Sequence, residues 1–194
     1  MLARLPKQSC RREVASKSAI REPMLKRYGL SATSSLRKPR CCVVTSTGHS
    51  IGTDLPKLAG GGDEFPQPVE LMLAALVGCK TATAHYVAKH LWPRPNHRID
   101  RISFIDVVAE RDEHGALTLP IDTAAPTTAG LLRVRGSVWV QPRSDAITDE
   151  DIIKLGDIVE QRCPVAAMFH GAGCVLELDW RLADKNEDGS LQSE

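Results

Sequence analysis

The chain has 194 residues, and 42% of them are hydrophobic, which is enough to build one globular domain with a core. The formal net charge is only +1 and 4% of residues are aromatic, so composition argues against a nucleic-acid-binding protein. The longest apolar run, residues 71–78, is far shorter than the roughly 18 residues that a membrane-spanning helix needs. We therefore expect a soluble protein with no membrane span.

The charge is unevenly distributed along the chain. Residues 1–40 contain 11 Lys or Arg and two acidic residues, whereas the remainder contains 14 basic and 22 acidic residues. A basic, serine-containing, acid-poor leader is typical of a mitochondrial transit peptide, although Pro6 and Pro23 interrupt any amphipathic helix. The alternative is a basic arm that stays on the mature protein and contacts an anionic surface. We expect a mitochondrial location, or a cytoplasmic one if the arm is retained.

The pattern predicts three parts: an N-terminal extension over residues 1–39, one domain over 40–182 and a disordered acidic tail over 183–194. Within the domain, residues 40–53 predict two short strands around Gly48. The following glycine-rich and proline-rich loop lacks the Gly-Lys-Ser/Thr of a phosphate-binding loop, which favours a flexible entry to a helix.

A long helix is predicted to begin between Pro66 and Pro68 and to end before Pro93, because proline suits a first turn and cannot continue a helix. Residues 71–77 place apolar side chains on every face of this helix. A helix that is apolar all round is typical of a central helix, so we expect other elements to bury it on all sides.

Residues 99–121 are interpreted as a hairpin with its turn at 112–115, and the alternation of residues 131–141 predicts a half-buried strand. Thr148 then caps a helix, since acidic residues follow it in the first turn. Pro164 disfavours helical geometry at Cys163, so the first helix ends at this point and a second helix begins at Pro164. Residues 174–182 then form a closing strand.

The cysteines suggest chemistry or packing and not a disulfide scaffold. No Cys-x-x-Cys pair occurs, which argues against a zinc ribbon or a thioredoxin-type motif, and the absence of a secretory signal favours reduced thiols. The six cysteines are Cys10, Cys41, Cys42, Cys79, Cys163 and Cys174.

Cys79 and Cys163 are the two candidates for a reactive thiol. Cys163 lies at the N-terminal end of a short helix, where the amides and the dipole stabilise an anion and can lower a thiol pKa. Cys79 lies in the apolar helix, where its neighbours would raise its pKa unless a cation or a donor reaches it. The alternative for each is a buried cysteine that only packs, which is the interpretation we adopt for the other four.

Two segments resemble motifs of the OsmC/Ohr proteins. PVELMLAALVGC, residues 68–79, is similar to the family's helix that leads to a reactive cysteine, and QRCPVAAMFHGAG, residues 161–173, is similar to its Cys-Pro motif between two helices. The resemblance covers roughly residues 40–182. It implies an α+β fold in which two chains intertwine as a homodimer, with mixed β-sheets around buried central helices.

The resemblance implies thiol-dependent reduction of organic hydroperoxides without a cofactor. Cys79 would be the peroxidatic thiolate that becomes a sulfenic acid, and Cys163 would condense with it to a disulfide that a dithiol, lipoyl or similar, reduces. Apolar walls from Met72, Leu76 and Phe169 would favour lipid-like or aryl peroxides over hydrogen peroxide.

In the family a glutamate directly after the motif proline and an arginine from the N-terminal part brace the thiolate. Here Val69 occupies that glutamate position and Glu70 follows it, so Glu70 is our third candidate site residue. Nine residues separate Glu70 from Cys79, half a turn out of phase, so Glu70 reaches the sulfur only if the first turn is irregular.

The candidate arginines are Arg37 and Arg40. Lys80 is a further cation close in sequence, but adjacent residues of a helix point apart, so its side chain points away from that of Cys79.

Two other hypotheses remain open. The first is a non-catalytic OsmC-like dimer whose apolar pocket binds a small or lipid-like ligand, or whose cysteines sense redox state. The second is a metal site formed by Cys79, Cys163 and either His85 or His170, although this spacing matches no zinc pattern.

Overall fold

The computed structural model of the protein describes residues 24–34, 37–92 and 98–183. Most of the predicted transit peptide and nearly all of the predicted acidic tail lie outside the described residues. The described part has an α+β fold with two three-stranded sheets, in agreement with the predicted fold class.

The first sheet is antiparallel, in the order β1-β2-β3. Its strands are β1 (Leu30–Ser34), β2 (Cys41–Thr45) and β3 (Ser50–Thr53). The predicted turn around Gly48 is present, and its φ of 86° is one that glycine adopts at little cost. Because β1 pairs with β2, the folded part begins before residue 40, inside the segment that we predicted to be an extension.

The long helix α1 spans Pro68–Leu91, within the predicted bounds. Proline at the first helical position has its φ preset for a helix and lacks an N–H that would have no partner there. Gln67 caps the helix, and the Glu70 side chain accepts a hydrogen bond from the Gln67 N–H at 2.7 Å. The sequence then continues with Pro93, which explains the end of the helix.

Only one side of α1 is buried within the chain. The buried residues follow a helical stripe: Leu76, Lys80, Ala84, Val87 and Ala88. Outside this stripe, Met72, one turn before Leu76, is 49% exposed, and Tyr86 is 60% exposed. The prediction that α1 is buried on all sides is therefore not met by a single chain.

Among the described residues, α1 is the one helix whose length and hydropathy would suffice for a membrane crossing. The core helix of a globular protein passes the same test. Here the buried stripe of α1 packs against two other helices and a sheet, as a core helix does.

The second sheet is mixed, in the order β4-β5-β6. Its strands are β4 (Ile99–Arg111), β5 (Leu131–Pro142) and β6 (Val175–Leu182); β4 is antiparallel to β5, and β6 is parallel to β5. Alternate apolar side chains of β5 face the core, because Val134, Val138 and Val140 are fully buried.

The predicted hairpin over residues 99–121 is wrong. The antiparallel partner of β4 is β5, and the segment between them contains a short helix, α2 (His114–Leu117), followed by a loop. Pro120 has no N–H to donate to a strand ladder, and Leu119 and Ile121 are exposed, so the segment offers no alternating apolar face to bury.

Helices α3 (Asp149–Arg162) and α4 (Pro164–Gly171) have the predicted starts. The Thr148 hydroxyl accepts a hydrogen bond from the Asp151 N–H at 3.3 Å, and the Asp151 carboxylate accepts one from the Thr148 N–H at 3.1 Å. Helix α3 packs on α1, α4 and β6. The chain is therefore folded back so that both segments with family-like motifs share one core.

Gly156 of α3 lies against the ring of Trp180 in β6, and a Cβ at this position would come within 2.5 Å of the ring. Alanine normally stabilises a helix relative to glycine by up to about 1 kcal/mol. We expect Gly156→Ala instead to lower the free energy of unfolding by about 1–3 kcal/mol through overpacking, measured by urea denaturation. Gly171→Ala, with no atom within 4 Å of its Cβ, is the matched control and should cause no loss. Equal effects of the two substitutions would contradict the packing.

Candidate functional site

The structure brings Cys79 and Cys163 together. Cys79 lies in the middle of α1, Cys163 lies between α3 and α4, and both belong to one apolar cluster around the fully buried Leu76. The two side chains are neighbours, since Cys79 packs against this cluster and acts on the pKa of Cys163. Helices α1, α3 and α4 all pack against one another, which explains how residues so distant in sequence meet.

The thiol of Cys163 is shielded from solvent. Its backbone is extended, with φ −78° and ψ 115°, as expected before proline, and its sulfur accepts a hydrogen bond from the Ala166 N–H at 3.5 Å. Burial raises the pKa of Cys163, and the contact with Cys79 adds to the rise, against the opposing effect of the Ala166 N–H. The helix N-terminus at Cys163 therefore does not produce the low pKa that its position suggested, because complete burial outweighs it.

Cys79 is the more accessible of the pair. It is half-buried, whereas Cys163 has no exposed surface. Because burial raises its pKa, the Cys163 thiol keeps its proton beside Cys79. The two sulfurs are thus chemically distinct, one reachable from outside and one held behind it.

An apolar recess of about 410 Å³ opens between α1 and α4. From α1 it is lined by Met72 and Ala75, which are on the same helix face as Cys79 and precede it by two turns and one turn, respectively. The lining also includes Val165, Met168, Phe169, Ala172 and Cys174. Of the three walls that we expected from sequence, Met72 and Phe169 line the recess, and Leu76 is buried behind them.

A buried charged residue follows Cys79 on α1. Lys80, the residue after Cys79, is fully buried, and its ammonium is paired with Oε2 of Glu160. Oε1 of Glu160 hydrogen-bonds Nε2 of His170 at 2.7 Å. Glu160 and His170 were not identified as partners of Lys80 from the sequence. The available signal was a lysine within an apolar helix, which must either reach solvent or find a counter-ion.

Glu70 is not brought to Cys79 within the chain. Its carboxylate is exposed and bonded at the N-cap of α1. The regular helix places it about 13 Å along the axis from Cys79. The observed contacts of Glu70 are therefore those of a helix cap.

Arg40 is distinguished from Arg37 by its ion pairs. Its guanidinium bonds Asp54 at 3.2 Å and Glu64 at 2.5 Å, and it lies over the ring of Phe65. Arg37 is exposed. The described contacts of Arg40 go to the segment between β3 and α1 and not to Cys79.

Asp54 organises that segment. Its carboxylate is fully buried and accepts hydrogen bonds from the N–H groups of Leu55, Gly62 and Glu64. Burial alone would raise the pKa of Asp54, but these bonds and the Arg40 guanidinium lower it to about 2. The glycine-rich loop is therefore folded around one carboxylate.

The metal hypothesis has no support in the geometry. In residues 24–34, 37–92 and 98–183, no three His, Cys, Asp or Glu side chains converge as metal ligands do. His170 is engaged with Glu160, and His85 is exposed on α1.

The family of OsmC-like proteins matches residues 60–179, which is more than half of the chain and includes both cysteines. The chain belongs to the OsmC family. Among curated protein sequences, none matches this OsmC-family chain.

Solved structures show the same fold. An OsmC-like protein from Mycoplasma pneumoniae superposes with a TM-score of 0.64 at 20% identity, over 83% of this chain and 100% of the other. An organic hydroperoxide resistance protein from Elizabethkingia anophelis gives 0.58 at 19% identity, over 84% and 99%. The organic hydroperoxide resistance protein OhrB of Bacillus subtilis gives 0.52 at 18% identity, over 81% and 98%.

The depressed pKa of Asp54 predicts a pH effect on stability. A carboxyl group with pKa 3.8 when unfolded and about 2 when folded stabilises the native state above pH 3.8, and this contribution is lost as the pH falls toward 2. Thermal melts from about pH 5 to about pH 2 should therefore show a steeper loss of Tm for the wild type than for Asp54→Asn. The exposed Asp157→Asn on α3 is the control and should follow the wild type. Parallel curves for wild type and Asp54→Asn would contradict this role of Asp54.

Proposed function

We propose that this OsmC-family protein is a thiol peroxidase that reduces organic hydroperoxides through Cys79 and Cys163. The observation that carries the proposal is the packing of a half-buried thiol against a fully buried, protonated one beside an apolar recess. Names of structural neighbours, organic hydroperoxide resistance proteins, are consistent with this chemistry.

In the first step the Cys79 thiolate attacks the terminal peroxide oxygen. An S–O bond forms and the O–O bond breaks, the sulfur is oxidised to a sulfenic acid, and the departing alkoxide takes up a proton to leave as an alcohol. The attacking sulfur must be accessible, and Cys79 is the more exposed of the two.

In the second step the Cys163 sulfur attacks the sulfenic sulfur of Cys79. The S–S bond forms, the S–O bond breaks, and the hydroxyl leaves with the Cys163 proton as water. The raised pKa of Cys163 fits this order, because a thiol that keeps its proton waits until the sulfenic acid has formed. A small dithiol, lipoyl or similar, then returns two electrons and two protons to the pair and becomes a disulfide itself.

The recess favours substrates with an apolar body. Its lining is almost entirely hydrocarbon, and it borders the α1 face that carries Cys79. An alkyl or aryl group would leave water on entering it, whereas hydrogen peroxide gains nothing there. Lipid-like or aryl hydroperoxides are therefore the proposed substrates.

Substitution of the two cysteines tests the assignment. With cumene hydroperoxide and dihydrolipoamide, Cys79→Ser should lower peroxide consumption at least about 100-fold, because the nucleophile is lost. Cys163→Ser should accumulate a sulfenic acid at Cys79, trapped with dimedone and located by mass spectrometry. Cys42→Ser, an exposed cysteine of β2, is the matched control and should retain activity.

Turnover that survives in Cys79→Ser would refute the peroxidatic role. A wild type that binds apolar ligands but consumes no peroxide would favour the alternative, a non-catalytic dimer that holds a small apolar ligand in the same recess.

We further propose that the protein is an intertwined homodimer. Met72 and Tyr86 of α1 expose apolar surface. The first sheet packs little against the helices of its own chain, because those helices mainly contact one another, β4 and β6. A second copy that supplies its own α1 would cover these faces.

Light scattering after size exclusion tests the dimer. The wild type should elute at about twice the monomer mass of 21.2 kDa. Tyr86→Arg should raise the dimer dissociation constant at least about tenfold, because it would bury a charge at the interface. Leu58→Arg, at a fully exposed position between β3 and α1, should leave the constant unchanged. A monomeric wild type would refute the dimer.

A further inference from the structure

A three-residue chain of side-chain contacts joins Lys80, Glu160 and His170, and it has no role in the chemistry described above. Lys80 and Asp54 are the buried charged residues of the described part. A buried ammonium is stable only with a counter-charge. Lys80 of α1 therefore remains paired with Glu160 of α3 as long as the two helices are packed together.

The chain joins the elements that carry the two thiols. Lys80 follows Cys79 on α1, Glu160 precedes Cys163 by three residues on α3, and His170 is on α4. The Lys80–Glu160 pair therefore spans the space between the two cysteine-bearing elements.

The second link crosses a break in the backbone. Between α3 and α4 the helix is interrupted at Cys163, since Pro164 cannot continue the hydrogen-bond ladder of α3. The bond of 2.7 Å between Glu160 and His170 reaches across this interruption from one helix to the other. It restrains the angle between the helices at the residue whose sulfur faces Cys79.

We propose that Lys80, Glu160 and His170 are positioning residues that hold the Cys163 sulfur against Cys79 and thereby raise the effective concentration of one thiol for the other. The inference rests on the proposed disulfide between these residues. A pair of sulfurs held together forms an intramolecular disulfide more readily than a pair that samples many separations, because less conformational entropy is lost.

The equilibrium constant for the Cys79–Cys163 disulfide, measured in glutathione redox buffers, tests the proposal without peroxide. In Lys80→Met/Glu160→Gln, which removes both charges of the pair while keeping similar volume, we expect the constant to fall at least tenfold, equivalent to about 30 mV in reduction potential. Ile152→Val truncates the core at the other end of α3 and is the control for general destabilisation. Its constant should change by less than about twofold.

A double variant that folds and keeps the wild-type constant would overturn the proposal, as would an equal fall in Ile152→Val. If the double variant does not fold, His170→Ala decides, because His170 is half-exposed and its removal leaves the core intact. We expect the disulfide equilibrium constant of His170→Ala to be about threefold lower than that of the wild type. An unchanged constant overturns the positioning role of Lys80, Glu160 and His170.

The outcomes separate this inference from the proposed function. A wild type that consumes no peroxide counts against the proposed peroxidase function. A wild type that consumes peroxide, together with variants whose disulfide equilibrium constant is unchanged, counts against the positioning role alone. A wild type in which the disulfide never forms refutes both the positioning role and the role of Cys163.

Discussion

The contact between Cys79 and Cys163 depends on how α1 packs against the junction of α3 and α4. The cluster around the fully buried Leu76 includes Cys163, Ala166 and Phe169, and Val134 of β5 packs in the same cluster. Because interiors are close-packed, these volumes determine where the two sulfurs can be. The recess borders the same helix face, so the packing that joins the thiols also shapes the space beside them.

Burial makes the two thiols unequal. Cys163 has no exposed surface, and the cost of a buried thiolate keeps its pKa high even though it caps α4. Cys79 is half-buried and adjoins the recess wall. The buried ammonium of Lys80 pairs with the partly exposed carboxylate of Glu160, which also bonds the half-exposed His170. One small region thus combines two thiols, an apolar recess and a buried lysine with its counter-ion.

The helix α1 is more apolar than its own chain can bury. Its stripe from Leu76 to Ala88 faces the core, while Met72 and Tyr86 remain exposed. Asp54 and Arg40 hold the segment between the first sheet and α1 in one conformation. The first sheet and the exposed side of α1 are the surfaces that the proposed homodimer would cover.

Local signals in the sequence determined much of the architecture. Prolines at 68 and 164 and the Thr148 cap set the starts of α1, α4 and α3, since these residues act through the backbone of a single turn. The alternation of apolar and polar residues also predicted strand β5, and the two motifs around Cys79 and Cys163 were identified from the sequence. Periodicity and motif spacing can be recognised without knowledge of distant residues.

Only the tertiary structure decided the pairing of β4 with β5, the burial that raises the pKa of Cys163, and the engagement of Glu70 at a helix cap instead of at a thiol. It also decided the partners of Lys80 and Arg40. Strand pairing, desolvation and ion pairs all depend on which residues far apart in the chain become neighbours, and that is determined by the packing of the whole fold.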